Sequence, residues 1–405
     1  MSRGQGLALF ASLAFCLAIP SAWAANTVTL PQGTFVLDEG WVDAVTTTAF
    51  DNNRKPQSLL LPIDRYEPGG GLQGTITAKP HVRYRFLVSQ LYYGLTDALT
   101  LAVGVPLVTS TTIDPHLGWK SGDYQSSLGR AYSESDFWQW AQSMGQGKPG
   151  TFNGNSNTMS DMILGVRYRL PDYGFLQPLG LRAALGVQIA LPTGKPQDPE
   201  QLVAAGTTVW DLNNYGDAEL HLLFDRPFLW DGVPRLNLGL DAYYAWLRPR
   251  EMVSPTGSKN PLLLTASPYI GKTYTLDPGD FAGGTVSIDA VPLVGPTWST
   301  YISGHSLEKA STFPPLLTLI AGYTWLHVGQ TGFASQSPMW TWDHEKVFMP
   351  GFKNTVRLGA DLSLLRVGLP LQFYVRSANQ EWVPGQNIRA SNSLTLGARV
   401  ILKFW

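Results

Sequence analysis

Hydrophobic residues recur at every second position in many separate stretches of this chain. Leu181, Ala183, Leu185, Val187, Ile189 and Leu191 alternate with Arg182, Ala184, Gly186, Gln188 and Ala190. In an extended strand the two sets point to opposite faces. The same period runs through Leu99 to Leu107, Met162 to Leu170, Leu236 to Tyr244, Val356 to Leu364 and Leu394 to Phe404. Each run lasts about ten residues, the length of a tilted strand that crosses a bilayer. Past the N-terminal segment no apolar run reaches the roughly 18 residues of a membrane-spanning helix.

The pattern predicts twelve strands, near 33–49, 80–93, 98–113, 160–170, 180–193, 215–225, 235–249, 284–304, 314–328, 353–366, 369–378 and 391–405. The gaps after the odd-numbered strands are long: 50–79, 114–159, 194–214, 250–283, 329–352 and 379–390. Those after the even-numbered strands are mostly tight, as at Gly94-Leu95-Thr96-Asp97 and Val367-Gly368. Long connections at one end and short turns at the other are the asymmetry of an outer-membrane barrel, whose short turns face the periplasm. Pro292 and Pro296 interrupt the eighth strand, where a bulge or a hairpin can hide, so ten to fourteen strands fit the pattern. The expected fold is all-β, a transmembrane antiparallel up-and-down β-barrel of about 12 strands with long extracellular loops and short periplasmic turns.

The polar members of the alternation are large and charged. Arg83, Arg85, Arg167, Arg169, Arg182, Asp217, Glu219, His221, Asp241, Arg357, Asp361 and Arg399 are assigned to the face opposite the Leu and Val sets and so to the lumen. A soluble sandwich also alternates, but with turns of similar length at both ends. Aromatic residues at strand ends, Tyr92, Tyr93, Tyr168, Tyr244, Trp246, Tyr323, Trp325, Phe404 and Trp405, add the girdles of a membrane barrel. The lumen charges either neutralise one another across strands or line a solute path.

Met1-Ser2-Arg3 followed by an apolar stretch from Leu7 to Ile19 and by Ala22-Trp23-Ala24 reads as a signal peptide over 1–24, leaving 25–405 as one barrel domain. The only cysteine, Cys16, lies inside that signal, so disulfides and thiolate metal sites are not expected afterwards. A chain 44% hydrophobic and 15% charged is too apolar for disorder, and its net charge of -1 argues against nucleic acid. The expected location is the bacterial cell outer membrane. The expected partners are outer-membrane lipid, lipopolysaccharide and the barrel-assembly machinery, the last suggested by a C-terminal strand that ends in Phe404-Trp405 one residue out of phase.

Tyr93-Gly94-Leu95-Thr96-Asp97-Ala98-Leu99-Thr100-Leu101, then Gly104-Val105-Pro106-Leu107-Val108, resembles the repeated turn-and-strand signature of the transporter-like barrels called "meta-pathway of phenol degradation". Asp161 to Arg169 and Leu191-Pro192-Thr193-Gly194 are similar to two further pieces in the same order, with Ser160 where the family pattern has Gly. The resemblance covers residues 80–225. It implies an outer-membrane channel for passive uptake of small hydrophobic or aromatic compounds. The alternative is a non-transporting barrel with a structural or surface-interaction role.

Long-chain fatty-acid channels carry a plug domain ahead of the first strand, and the stretch Ala25 to Gln32 is too short for one. Pro68 to Gly74 and Gly145 to Gly154 are loop segments able to fold inward as constrictions. The loop aromatics Trp119, Phe137, Trp138, Trp140, Trp340 and Trp342 form either a ligand entry or a packed loop core. Enzymatic readings are weak. His305 and Ser306 are adjacent and so face opposite ways, the six histidines lack metal-ligand spacing, and Asp343-His344-Glu345 is better read as a solvated loop. No catalytic residue, metal or cofactor is expected.

Overall fold

The structure is a computed structural model that describes residues 27–59, 62–67, 70–122, 129–143, 148, 150–154, 158–171, 176, 178–194, 217–230, 233–253, 273–294, 314–330, 332–335 and 350–403. The proposed signal peptide, Trp340, Trp342, His305, Ser306, His344, Phe404 and Trp405 lie outside the described residues.

Twelve strands close into a barrel: β1 (Thr34–Phe50), β2 (His81–Thr96), β3 (Leu99–Asp114), β4 (Met162–Arg169), β5 (Arg182–Leu191), β6 (Asp217–Trp230), β7 (Val233–Leu247), β8 (Phe281–Leu293), β9 (Leu317–Val328), β10 (Gly351–Ser363), β11 (Leu371–Asn379) and β12 (Ile388–Lys403). Each pairs antiparallel with its sequence neighbours. The barrel closes where β1 meets β12, from Thr34 opposite Lys403 to Phe50 opposite Ile388. Closure removes both sheet edges, which is what allows a sheet to stand in hydrocarbon with every backbone group paired.

The strand positions follow the alternation closely. The eighth strand ends at Leu293, where a bulge between Ala290 and Leu293 against β9 accommodates Pro292, so no additional hairpin appears among the described residues. The tight turns after β2, β6 and β10 lie at one end. The β2–β3 pair continues past the opposite rim as Leu72–Ala78 against Leu117–Ser121, joined by Ile63–Tyr66. The one α-helix among the described residues, α1 (Glu134–Ser143), belongs to the same long loop as Leu117–Ser121.

Leu101, Val103, Leu164, Val166, Leu185, Val187, Ile189, Leu220, Leu222, Leu238, Leu240, Val286, Ile288, Leu319, Leu358, Leu394 and Leu396 all stand exposed on the outer wall. Apolar side chains in this quantity are unfavourable toward water and favourable toward lipid. Tyr168, Tyr244 and Trp246 lie exposed on the same wall. Tyr92 instead points inward and its hydroxyl donates to Gln90 at 2.7 Å.

The asymmetry fixes an orientation that labelling can check. A cysteine at Ser143, exposed at the end of α1, is expected to react with an impermeant maleimide on intact cells, while one at Thr96 is expected to react only after the outer membrane is broken. Reaction at Thr96 alone on intact cells would invert the barrel.

Candidate functional site

The inward positions divide the lumen into two zones. In the first, at the end of the barrel bearing the tight turns, charges are matched. Asp38 on β1 accepts from Arg399 Nε on β12 at 2.8 Å and from the Tyr374 hydroxyl on β11 at 2.7 Å. Asp361 on β10 takes both guanidinium nitrogens of Arg376 and the amide of Gln372 at 3.2 Å, and Arg399 reaches it at 3.7 Å. Tyr374 lies directly over Gly397 and Gly40, where any Cβ would run into its ring or its hydroxyl. Arg182 on β5 pairs with the fully buried Asp225 on β6. Ion pairs and bidentate forks inside a wall stay put because each removed partner leaves a buried charge unmatched.

Further along β6 and β7, His221 is held from both sides. Nδ1 meets Asp241 at 3.1 Å, Nε2 meets Glu219 at 3.2 Å, and its ring stacks on Tyr243 at 5.5 Å. Asp217 is inward at the start of β6, opposite Leu247, and Arg357 is inward on β10, opposite Gly322. Arg167 is inward and buried on β4, and Arg169 shares its face. Among the described residues no cluster of His, Cys, Asp or Glu is arranged to hold a metal ion.

The second zone, toward the long loops, is apolar on two facing walls. Val42, Ala49, Leu59, Val82, Tyr84, Phe86, Val88, Val108 and Ile113 form one buried cluster, with Ile163 against it. Ala245, Leu247, Phe281 and Leu326 form another, with Tyr243 and Val328 packed on it. The first is carried by β1–β3 and the second by β7–β9, six strands round in a barrel of twelve. They therefore lie on opposite sides of the bore.

This zone overturns the placement of two residues. Arg83 and Arg85 share the phase of Leu87 and Leu91, so they stand on the outer wall, where both meet the carboxylate of Asp43. The inward positions between and beside them belong to Val82, Tyr84 and Phe86. The physical reason is local to β2, whose inward phase is filled by an apolar cluster, so the rule that polar residues face inward fails there.

The loop aromatics form a core of their own. Phe137 is buried, stacks on Trp119 at 5.4 Å and meets Trp138 edge-on at 4.8 Å. Gly74 leaves the room for the Trp119 ring, whose nearest atom lies 2.1 Å from an ideal Cβ there. Trp140 is more open and carries the Arg65 guanidinium 3.5 Å from its ring centre. The start of α1 is fixed by Asp136, which accepts from Arg130 and from the Ser133 hydroxyl and backbone N–H. Those bonds, Arg130 first, hold its carboxyl well below the usual carboxylate range.

No family model matches the chain, and no curated protein matches it in sequence. A solved structure does share its fold. The outer membrane channel of Pseudomonas putida F1 superposes with a TM-score of 0.53 at 12% identity, covering 94% of this chain and 99% of that one. The translocator domain of the Neisseria meningitidis autotransporter NalP gives 0.40 at 11% identity, covering 91% and 88%. The Pseudomonas putida toluene transporter TodX gives 0.34 at 12% identity, covering 96% and 94%. Closed, with an apolar belt and charges turned inward, the chain has the architecture of a bacterial outer-membrane barrel.

Proposed function

We infer that this chain is an outer-membrane channel for the passive passage of small hydrophobic or aromatic compounds. The observation that carries the reading is the pair of facing apolar walls inside the bore. General porins keep a polar, water-filled interior. Here Tyr84, Phe86 and Val88 on β2 and Leu247, Phe281 and Leu326 on β7–β9 turn apolar side chains inward and pack them closely, so a solute that passes must displace them, and their composition favours an apolar one over water. The likeness of fold to a protein described as an outer membrane channel supports the transport role. The turn-and-strand motifs over residues 80–225 support kinship with the phenol meta-pathway barrels. Trp119, Phe137, Trp138 and Trp140 would then form the outer vestibule, as would Trp340 and Trp342. Of the inward charges, Arg167, Arg169, Arg182, His221, Asp241, Arg357, Asp361 and Arg399 would form the polar exit, while Asp217 and Glu219, opposite Leu247 and Ala245, would border the apolar wall. Lipopolysaccharide around the rim and the barrel-assembly machinery complete the proposed partners.

The non-transporting reading has its own support, because the apolar walls are buried and the charges below them are paired. Single-channel recording separates the two. A small aromatic solute added on the loop side is expected to interrupt the ion current of the wild type, and Val88→Asp, which puts a charge into the apolar zone, is expected to weaken that block about tenfold or more, the effect of losing roughly 1.4 kcal/mol of binding. A current that the solute never interrupts would favour the structural role.

A further inference from the structure

Residues 27–33, just ahead of β1, do not leave the barrel. The Thr27 hydroxyl, wholly buried, donates to Asp225 on β6. Arg167 on β4 donates Nη1 to the Val28 carbonyl at 3.3 Å. The Leu30 N–H donates to Thr100 Oγ1 on β3 at 2.8 Å. Thr29 Oγ1 donates to the Asp97 carbonyl at 2.6 Å, the Gln32 N–H to the Asp97 carboxylate at 2.9 Å, and the Gly33 N–H to the Gly94 carbonyl at 2.8 Å. From its root on β1 the segment thus reaches strands three, four and six in turn, which takes it across the tight-turn mouth. Nothing in its composition shows this.

The barrel is cut to receive it. An ideal Cβ on Gly94 would stand 2.1 Å from the Pro31 carbonyl oxygen and 2.7 Å from that of Leu30, both backbone atoms. Gly94 and Asp97 are two members of the Tyr93-Gly94-Leu95-Thr96-Asp97 turn, so the turn motif does two jobs at once. It joins β2 to β3, and it clamps the strap. We propose that Thr27–Gly33 is a latch across the periplasmic mouth, held by the Gly94–Asp97 turn at its root and by Asp225 and Arg167 at its tip, and that the latch must swing aside for the bore to conduct fully. This goes beyond the solute reading, and ion current tests it whatever the solute is.

The experiment uses the full barrel in planar bilayers. Gly94→Val, which forces the strap backbone off its seat, should raise single-channel conductance about twofold or more, since the bore of a twelve-stranded barrel is wider than what the strap leaves. Thr27→Ala with Leu30→Pro, which removes two of the strap's donors and touches no barrel strand, should do the same, and it covers the case in which Gly94→Val folds poorly. Thr29→Cys with Asp97→Cys should lose most of its conductance when oxidised and recover it on reduction. Conductance equal to the wild type in the released variants, or unchanged by oxidation in the cross-linked one, would overturn the latch.

Discussion

Asp38→Ala is expected to cost the barrel about 3 to 5 kcal/mol, the usual penalty for removing one partner of a buried pair. The side chain of Asp38 is 1% exposed and that of its partner Arg399 11%, so the stranded guanidinium has little water to turn to. Tyr374 loses its acceptor in the same step. Arg399 keeps as an ion pair only the longer contact with Asp361, which Arg376 already occupies, besides its place over the Tyr374 ring. Tyr374→Phe, which removes a single hydrogen bond and leaves both charges matched, should cost about 1 kcal/mol. Urea titration of the folded, heat-modifiable form in lipid vesicles reads both. Equal and small losses would mean that the Asp38 network contributes nothing to closing the barrel.

Val187→Arg is the second large effect. Val187 is 42% exposed and sits on the outer wall between Val166 and Leu220, in the middle of β5. A charge there enters hydrocarbon at a cost of about 2 to 4 kcal/mol. Gln188, the next residue, faces the lumen opposite Glu219 and lies 3.4 Å from His221. Gln188→Arg should therefore cost little and find an acid waiting. The same titration compares them, and matched losses would mean that β5 does not have one lipid face and one lumen face.

Period-two alternation shows the strands, because on β5, β7 and β12 only one phase is apolar. β2 is different. Val82, Tyr84, Phe86 and Val88 fill one phase while Leu87, Leu91 and Tyr93 occupy the other, so the alternation gives the strand but not its inward face. Arg83 and Arg85 then look like lumen residues only because charges line the lumen elsewhere. The helix was within reach of the sequence. Ser133-x-x-Asp136 is a capping pattern, and Phe137 and Ala141, one turn apart, form its buried stripe. The strap was not, since its bonds run largely through backbone N–H and carbonyl groups that leave no mark on residue type. The seat of Tyr374 on Gly40 and Gly397 is equally silent, because glycines in strands carry many other meanings.

As proposed, the bore passes apolar solutes across a membrane whose lipopolysaccharide leaflet resists them. Initial uptake of a dilute, labelled aromatic hydrocarbon by intact Gram-negative cells tests it most directly. Cells carrying the chain should take up the solute faster than cells without it, with the excess unchanged when the membrane potential is collapsed and lost in Val88→Asp although that barrel is present and folded. Uptake identical with and without the chain would contradict the account.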